Sequence, residues 1–260
     1  MISFDKVIVN GQERENVFQN WEDAPHPGVF TSFRALIRDE VILVLGFSLH
    51  YDRLILGSRF FNLLLPSQQI ITREILSGMK SLQIDEARVR IELFSGFYIT
   101  RLMLVNSLAT DAGYFSMRTA RVSRPYEELK STYGAAMSER SQAECDPNCE
   151  ALFIDDSDNI LEGAWSNFGW IEADGSVCFS GRGLDGVTQR VVRDLLLRVG
   201  RDVRIVNTTL KELVDRTVTP FITSSLRGIV AVAKIDDVLF SPNADITRFR
   251  QQYIDATYQP

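Results

Sequence analysis

The 260-residue chain has three cysteines (Cys145, Cys149, Cys178) and two histidines (His26, His50). Three cysteines are too few, and odd in number, to lace a disulfide framework. Cys145 and Cys149 have metal-like spacing, but no second Cys/His pair accompanies them, so no metal site is expected. No run of about 18 to 20 apolar residues occurs, which leaves nothing to span a bilayer as a helix. The opening stretch, residues 1–15, also lacks the basic and apolar regions of a secretory signal. These features fit a reducing cytoplasm and no membrane partner. Basic charge is not in excess either: 28 Lys and Arg face 34 Asp and Glu, a formal net charge of -6. That balance argues against nucleic acid as a partner, since a phosphate-backbone footprint needs a basic surface. A single phosphate needs only a few donors and stays possible. Absent too are the Walker loop, the G-x-S-x-G elbow and H-E-x-x-H, which removes the commonest P-loop, hydrolase and zinc-protease readings.

What is present is ordinary folded protein, with 45% apolar and 24% charged residues. Val7 to Val9 followed by Asn10-Gly11 predicts a hairpin. Strands are expected over residues 29–37, 41–45, 88–94 and 98–105, the third because Arg88 to Phe94 alternates with period two. Helices are expected over 52–65 and 70–79. A polar stretch from Thr119 to Pro125 reads as a linker, dividing the chain into an N-terminal α/β domain, 1–119, and a C-terminal one, 125–260. Beyond it come a helix with Leu129, Tyr133, Ala136 and Met137 on one stripe, then strands over 151–154, 168–171 and 177–179. An amphipathic helix after Gly186 is expected to carry Val191, Val192, Leu195, Leu196 and Val199. Further strands are expected over 203–206, 220–223 and 228–235. The fold class is α/β (or α+β).

Four places have the residue types for chemistry. Lys130 is one of only five lysines, against 23 arginines, and follows the proposed linker. A lysine in a cleft is desolvated and so made nucleophilic, although a solvated helix lysine reads the same from composition. Gly183 to Arg190 is a glycine turn entering a helix, whose unpaired N–H groups accept phosphate. Thr223-Ser224-Ser225 places hydroxyls before Gly228, although serines in turns usually bond their own backbone. Glu162 precedes small residues and aromatics, and alone is a turn acid.

Taken in order, the segments resemble the class IV aminotransferases, the fold-type IV pyridoxal-phosphate enzymes that include branched-chain and D-amino-acid aminotransferases and aminodeoxychorismate lyase. Gly28-Val-Phe-Thr-Ser-Phe-Arg34 is similar to G-V-F-E-x-x-R, and His50-Tyr-Asp-Arg-Leu54 to H-L-x-R-L. Lys130 precedes Glu150-Ala-Leu-Phe-Ile-Asp155 at the family's spacing. Glu162 to Phe168 resembles E-G-x-x-S-N-[IVF], Gly186-Val-Thr188 the G-I-T turn, and Ile222 to Val232 the closing T-x-x-x-G-I-x-P-V.

The resemblance implies a two-domain D-amino-acid aminotransferase-like fold with pyridoxal 5'-phosphate held at the domain interface. It implies that Lys130 forms the internal Schiff base and shuttles the proton, and that Glu162 pairs with the pyridine nitrogen. Arg53, the N–H groups of Val187 and Thr188, and the hydroxyls of Thr188, Ser224 and Ser225 would hold the phosphate. Leu184 would pack on the ring, Asn167 would support the pocket and Tyr133 would face the ring hydroxyl. The implied reaction is transamination between an amino acid and a 2-oxo acid, in a homodimer. The alternatives are the lyase reaction giving 4-aminobenzoate and pyruvate, and a non-catalytic cofactor binder. Arg88, Arg90, Arg101 and Arg227 are the candidates for the substrate carboxylate. Several positions depart from the pattern: Phe30 where some members have tyrosine, Thr31 for glutamate, Gln189 for arginine, Ala231 for proline, Trp165 for a small residue, and the whole loop from Trp21 to Pro27.

Overall fold

The computed structural model describes residues 5–15, 17–105, 115–123, 125–146, 148–241 and 244–258. The chain forms two compact units, residues 1–108 with 129–136, and residues 109–128 with 137–259.

The first unit begins with β1 (Lys6–Val9) and β2 (Gln12–Arg14), joined by a turn in which Asn10 and Gly11 take φ of 47° and 79°. That left-handed pair is what Asn-Gly provides. Then come β3 (Val29–Arg38), β4 (Val41–Leu43), α1 (Phe47–Phe61), α2 (Gln68–Leu82), β5 (Glu86–Phe94) and β6 (Phe97–Leu104). The strands form one antiparallel sheet in the order β2-β1-β6-β5-β3-β4. Helix α1 stops short of the expected Leu65 because Asn62 turns left-handed, with φ 52°. Helix α2 starts at Gln68, where the Ser67 side chain accepts the Ile70 N–H.

The alternation in β5 sorts the sheet into two unlike faces. Ala87, Val89, Ile91 and Leu93 join Val29, Phe33 and Ala35 against Leu54, Ile71, Ile75 and Met79 of the helices. Each buried Val, Leu, Ile, Phe or Met side chain there contributes about 1.5–3 kcal/mol. The opposite face carries Arg88, Arg90 and Glu92, with Phe30 and Arg34 opposite them on β3 and Arg101 on β6.

Helix α3 (Thr132–Ala143) starts in the first unit and ends in the second. It begins after Ser131, whose hydroxyl accepts the Gly134 N–H at 3.2 Å. Leu129, expected on its stripe, therefore lies outside the helix.

The second unit opens with β7 (Phe115–Arg121) and continues through β8 (Cys149–Ile154), β9 (Ile160–Gly163), β10 (Asn167–Glu172), β11 (Val177–Ser180), α4 (Val187–Arg198), β12 (Val203–Val206), α5 (Leu210–Val214), β13 (Val218–Ser224), β14 (Gly228–Ile235), β15 (Val238–Leu239) and α6 (Ala244–Tyr258). Its sheet runs β12-β11-β10-β13-β14-β7-β8-β9, with β15 paired to β14. Strand β7 lies parallel to both neighbours, so Thr119 to Arg121, read from sequence as the start of a linker, continue a strand. Phe115 and Met117 are buried while Arg118 is exposed, an alternation half hidden by polar residues. Helix α5 spans only five residues and rests on a capping box between Thr209 and Glu212. The core gathers Leu152, Phe168, Trp170, Ile222, Val230 and Val232. No helix among the described residues is long and apolar enough to cross a membrane.

Candidate active site

In the second unit, six of the expected residues lie around the start of α4. Glu162, at 5% exposure, lies in β9, and its Oε2 accepts the Leu184 N–H at 3.1 Å. The Asn167 amide donates to the Leu184 carbonyl at 2.6 Å and reaches Glu162 Oε2 at 3.5 Å. A Cβ on Gly186 would lie 1.7 Å from Asn167 Oδ1, so only glycine lets the chain pass into the helix here. Gly186 caps α4 with no side-chain hydrogen bond, and no acid sits in the first turn. The N–H groups of Val187 and Thr188 thus head the helix, where backbone donors and a partial positive charge suit an anion. Across from it, the Thr188 and Ser225 hydroxyls are 3.0 Å apart.

Ser224 behaves as turn serines do, its Oγ accepting the Arg227 N–H at 3.2 Å. Thr223 stands opposite Asn167 in the β10–β13 ladder and shares its face. Its hydroxyl is buried with no hydrogen-bond partner among the described residues, a polar atom that a bound group would satisfy.

The first unit holds Arg53, Lys130 and Tyr133. Lys130 precedes the capping Ser131, and its carbonyl accepts the Phe30 N–H at 3.0 Å, while the Gly28 carbonyl accepts the Thr132 N–H at 2.9 Å. This short bridge clamps the lysine backbone to β3. Gly28 permits it, since a Cβ there would meet Phe94 at 2.7 Å and Thr132 at 2.8 Å. The Lys130 Nζ lies 5.1 Å from the centre of the Phe30 ring. Arg53 is half-buried on α1. His50, one turn earlier, is almost fully buried. Burial first, and then the positive charges of Arg53 and Lys130, hold its pKa well below 6.5. Tyr133 is more than a third exposed and stacks on His26 at 4.3 Å.

Sequence reasoning passed over a buried ionic cluster on the polar face of the first sheet. Glu92, with no exposure, takes Arg90 and Arg101 on one oxygen, Arg101 at 2.8 Å. Trp21 lies 4.3 Å under the Arg90 guanidinium and 4.4 Å from Phe30, and Phe18 lies 4.5 Å from that of Arg101. Alternation in β5 placed the arginines on one face, but nothing local announces that the loop before Gly28 folds over them.

The family model for amino-transferase class IV matches residues 28–235. The chain belongs to the class IV aminotransferases. No curated protein sequence matches it. Among solved structures, a T.th. branched-chain amino acid aminotransferase complexed with N-(5'-phosphopyridoxyl)-L-glutamate superposes with a TM-score of 0.82 at 17% identity, over 99% of this chain and 95% of that one. The Escherichia coli branched-chain aminotransferase gives 0.77 at 18% identity, over 98% and 95%. A hypothetical aminotransferase from Mycobacterium tuberculosis, in its PLP-bound form, gives 0.76 at 15%, over 97% and 99%. At such identities the likeness is one of fold.

Class IV aminotransferases use pyridoxal phosphate, and this chain is such an enzyme. Its residues fit that group: a buried carboxylate suits a protonated ring nitrogen. The uncapped helix start, two facing hydroxyls and the orphaned Thr223 hydroxyl suit a phosphate.

Proposed function

We propose that this class IV aminotransferase transfers an amino group between an amino acid and a 2-oxo acid, with Lys130 of the first unit and the Glu162 set of the second serving one pyridoxal phosphate. The observation that carries this reading is Glu162, a carboxylate at 5% exposure held by Leu184 and Asn167 beside the open start of α4. A buried acid so placed favours a positive partner over a neutral one.

Pyridoxal phosphate supplies an aldehyde for amines and a ring that accepts electrons from the substrate's α-carbon. The Lys130 amine would hold the aldehyde carbon and, when freed by a substrate amine, would be the base that moves the proton between the substrate's α-carbon and the cofactor carbon. Glu162 would hold a proton on the ring nitrogen. The Val187 and Thr188 N–H groups and the Thr188 and Ser225 hydroxyls would hold the phosphate, with Arg53 offered as its counter-charge. Among the arginines considered for the substrate carboxylate, Arg101 has no exposure and Arg227 is engaged by Glu150 at 2.5 Å. Arg90 is engaged by Glu92 in the same way, and Arg88 shares that sheet face with it.

The test is the visible spectrum of the purified protein before and after borohydride, beside Lys130→Ala. A band that borohydride fixes to the chain, and that the variant lacks, supports Lys130. Amino acids added singly, with and without an oxo acid, then separate transfer from pyruvate-releasing lyase chemistry. Wild type that stays colourless with added pyridoxal phosphate sinks the reading.

A further inference from the structure

Glu150 lies at the start of β8 with no exposed surface. Its Oε1 accepts the Trp165 N–H at 2.8 Å and the Ser166 hydroxyl at 2.7 Å. Its Oε2 accepts a hydrogen bond from the Arg227 guanidinium at 2.5 Å. The donors come from two separate turns of the second unit. Trp165 and Ser166 lie between Glu162 and Asn167. Arg227 ends the turn that carries Ser224 and Ser225, and its guanidinium is also packed 4.7 Å from the Phe115 ring.

These turns leave the ends of adjacent strands. The β10–β13 ladder begins at the Asn167–Thr223 pair, and beyond that rung the backbones separate. There the Glu150 carboxylate is bonded to both. One turn leads back to the acid meant for the ring nitrogen, and the other carries the hydroxyl, Ser225, that faces Thr188.

We propose that Glu150 is a positioning residue for the cofactor: it fixes the spacing between the Glu162 turn and the Ser224–Ser225 turn, and so sets cofactor affinity without touching the cofactor. The proposal rests on the pyridoxal-phosphate reading above. It also explains why Arg227, though close to the phosphate hydroxyls in sequence, is withdrawn from anion binding: its charge is spent on Glu150. Glutamine in place of Glu150 would keep the shape but set an N–H₂ group against either Arg227 or the Trp165 and Ser166 donors. One of the two turns would lose its tether.

The experiment titrates apoprotein with pyridoxal phosphate, following the visible band, for wild type, Glu150→Gln, Arg227→Gln and the double variant, with thermal melts of each apoprotein. Glu150→Gln and Arg227→Gln should each raise the dissociation constant about 10-fold or more, as the loss of outer-shell partners does at other bound groups. The double variant should bind no worse than the weaker single one, because both remove the same tether. A Glu150→Gln protein that melts lower yet binds with wild-type affinity and an unchanged band overturns the proposal, leaving Glu150 a fold residue only. Should that variant not fold, Ser166→Ala removes one donor and keeps the carboxylate: weaker binding supports the tether, and wild-type binding overturns it. Wild type that takes up no pyridoxal phosphate removes the cofactor reading itself, an outcome distinct from a variant that binds normally.

Discussion

The His50 Nδ1 lies 2.7 Å from the Thr31 hydroxyl, joining β3 to the helix packed upon it. Both groups are buried, at 1% and 0% exposure. Here a neutral hydroxyl meets an imidazole whose burial disfavours its charged form.

That pairing predicts a pH dependence. The folded-state pKa of His50 is lowered, so below its ordinary value of 6.5 the unfolded chain binds a proton that the folded chain refuses. Stability is then fully present above pH 6.5 and falls as the pH drops, at up to about 1.4 kcal/mol per pH unit for one proton. His26, whose pKa burial lowers as well, adds to the slope in the same direction. Denaturant unfolding between about pH 7.5 and 5.5, either side of the ordinary histidine value, checks this. His50→Gln should be less stable at the upper end but lose less on acidification, and an unchanged slope would assign the effect elsewhere.

Gly186 marks a second sensitive point. A methyl group there would overlap Asn167 Oδ1 at 1.7 Å, and the amide of Asn167 holds the Leu184 carbonyl at 2.6 Å. Gly186→Ala must push Asn167 aside and disturb both Leu184 and the start of α4. Overpacking of this kind costs about 1–3 kcal/mol. A melt together with a cofactor titration should show reduced stability and weakened binding. Alanine accommodated with neither change would mean that Asn167 is not held as described.

Glu162→Gln tests the acid itself. An ionised partner raises the pKa of a neighbouring cation by about 1–3 units, and each unit is tenfold in population. Stopped-flow measurement of the amino-acid half-reaction should therefore slow by about 10- to 1,000-fold, with the Lys130-linked band still forming. A half-reaction at the wild-type rate would remove Glu162 from the chemistry.

The fold was most legible where the chain obeys one period. The Asn10-Gly11 hairpin, the alternation of β5 and the amphipathic face of α4 all appear where residue spacing put them, because local geometry and burial agree. Strand β7 was lost to a linker because its exposed positions are Arg118 and Arg121, and only long-range pairing to β8 and β14 makes it a strand. The site followed the same division. Glu162, Asn167, Leu184 and Thr188 lie in recognisable motifs and the structure brings them together. The role of Glu150 was invisible, since its partners Ser166 and Arg227 lie 16 and 77 positions away. Trp21 was flagged only as part of a departing loop, because its contacts with Phe30 and Arg90 depend on the sheet beneath.

The polar face under that loop yields the last prediction. Glu92 is fully buried between two guanidiniums, with Arg101 fully buried beside it. Charges taken so far from water are tolerable only as a set, and removing one member leaves the others unpaired. Glu92→Gln should thus destabilise the first unit by about 3–5 kcal/mol, read from denaturant unfolding followed by circular dichroism. The aromatic roof of Trp21 and Phe18 keeps water from the charges left behind, so Trp21→Ala in the Glu92→Gln background should recover part of that loss by admitting solvent. If the two substitutions simply add, the roof is packing alone and the arginines do not depend on it for their desolvation. If they compensate, the loop before Gly28 is what holds the arginine face dry, and Arg90, stacked on Trp21 beside Phe30, becomes the arginine to test first against substrate carboxylate.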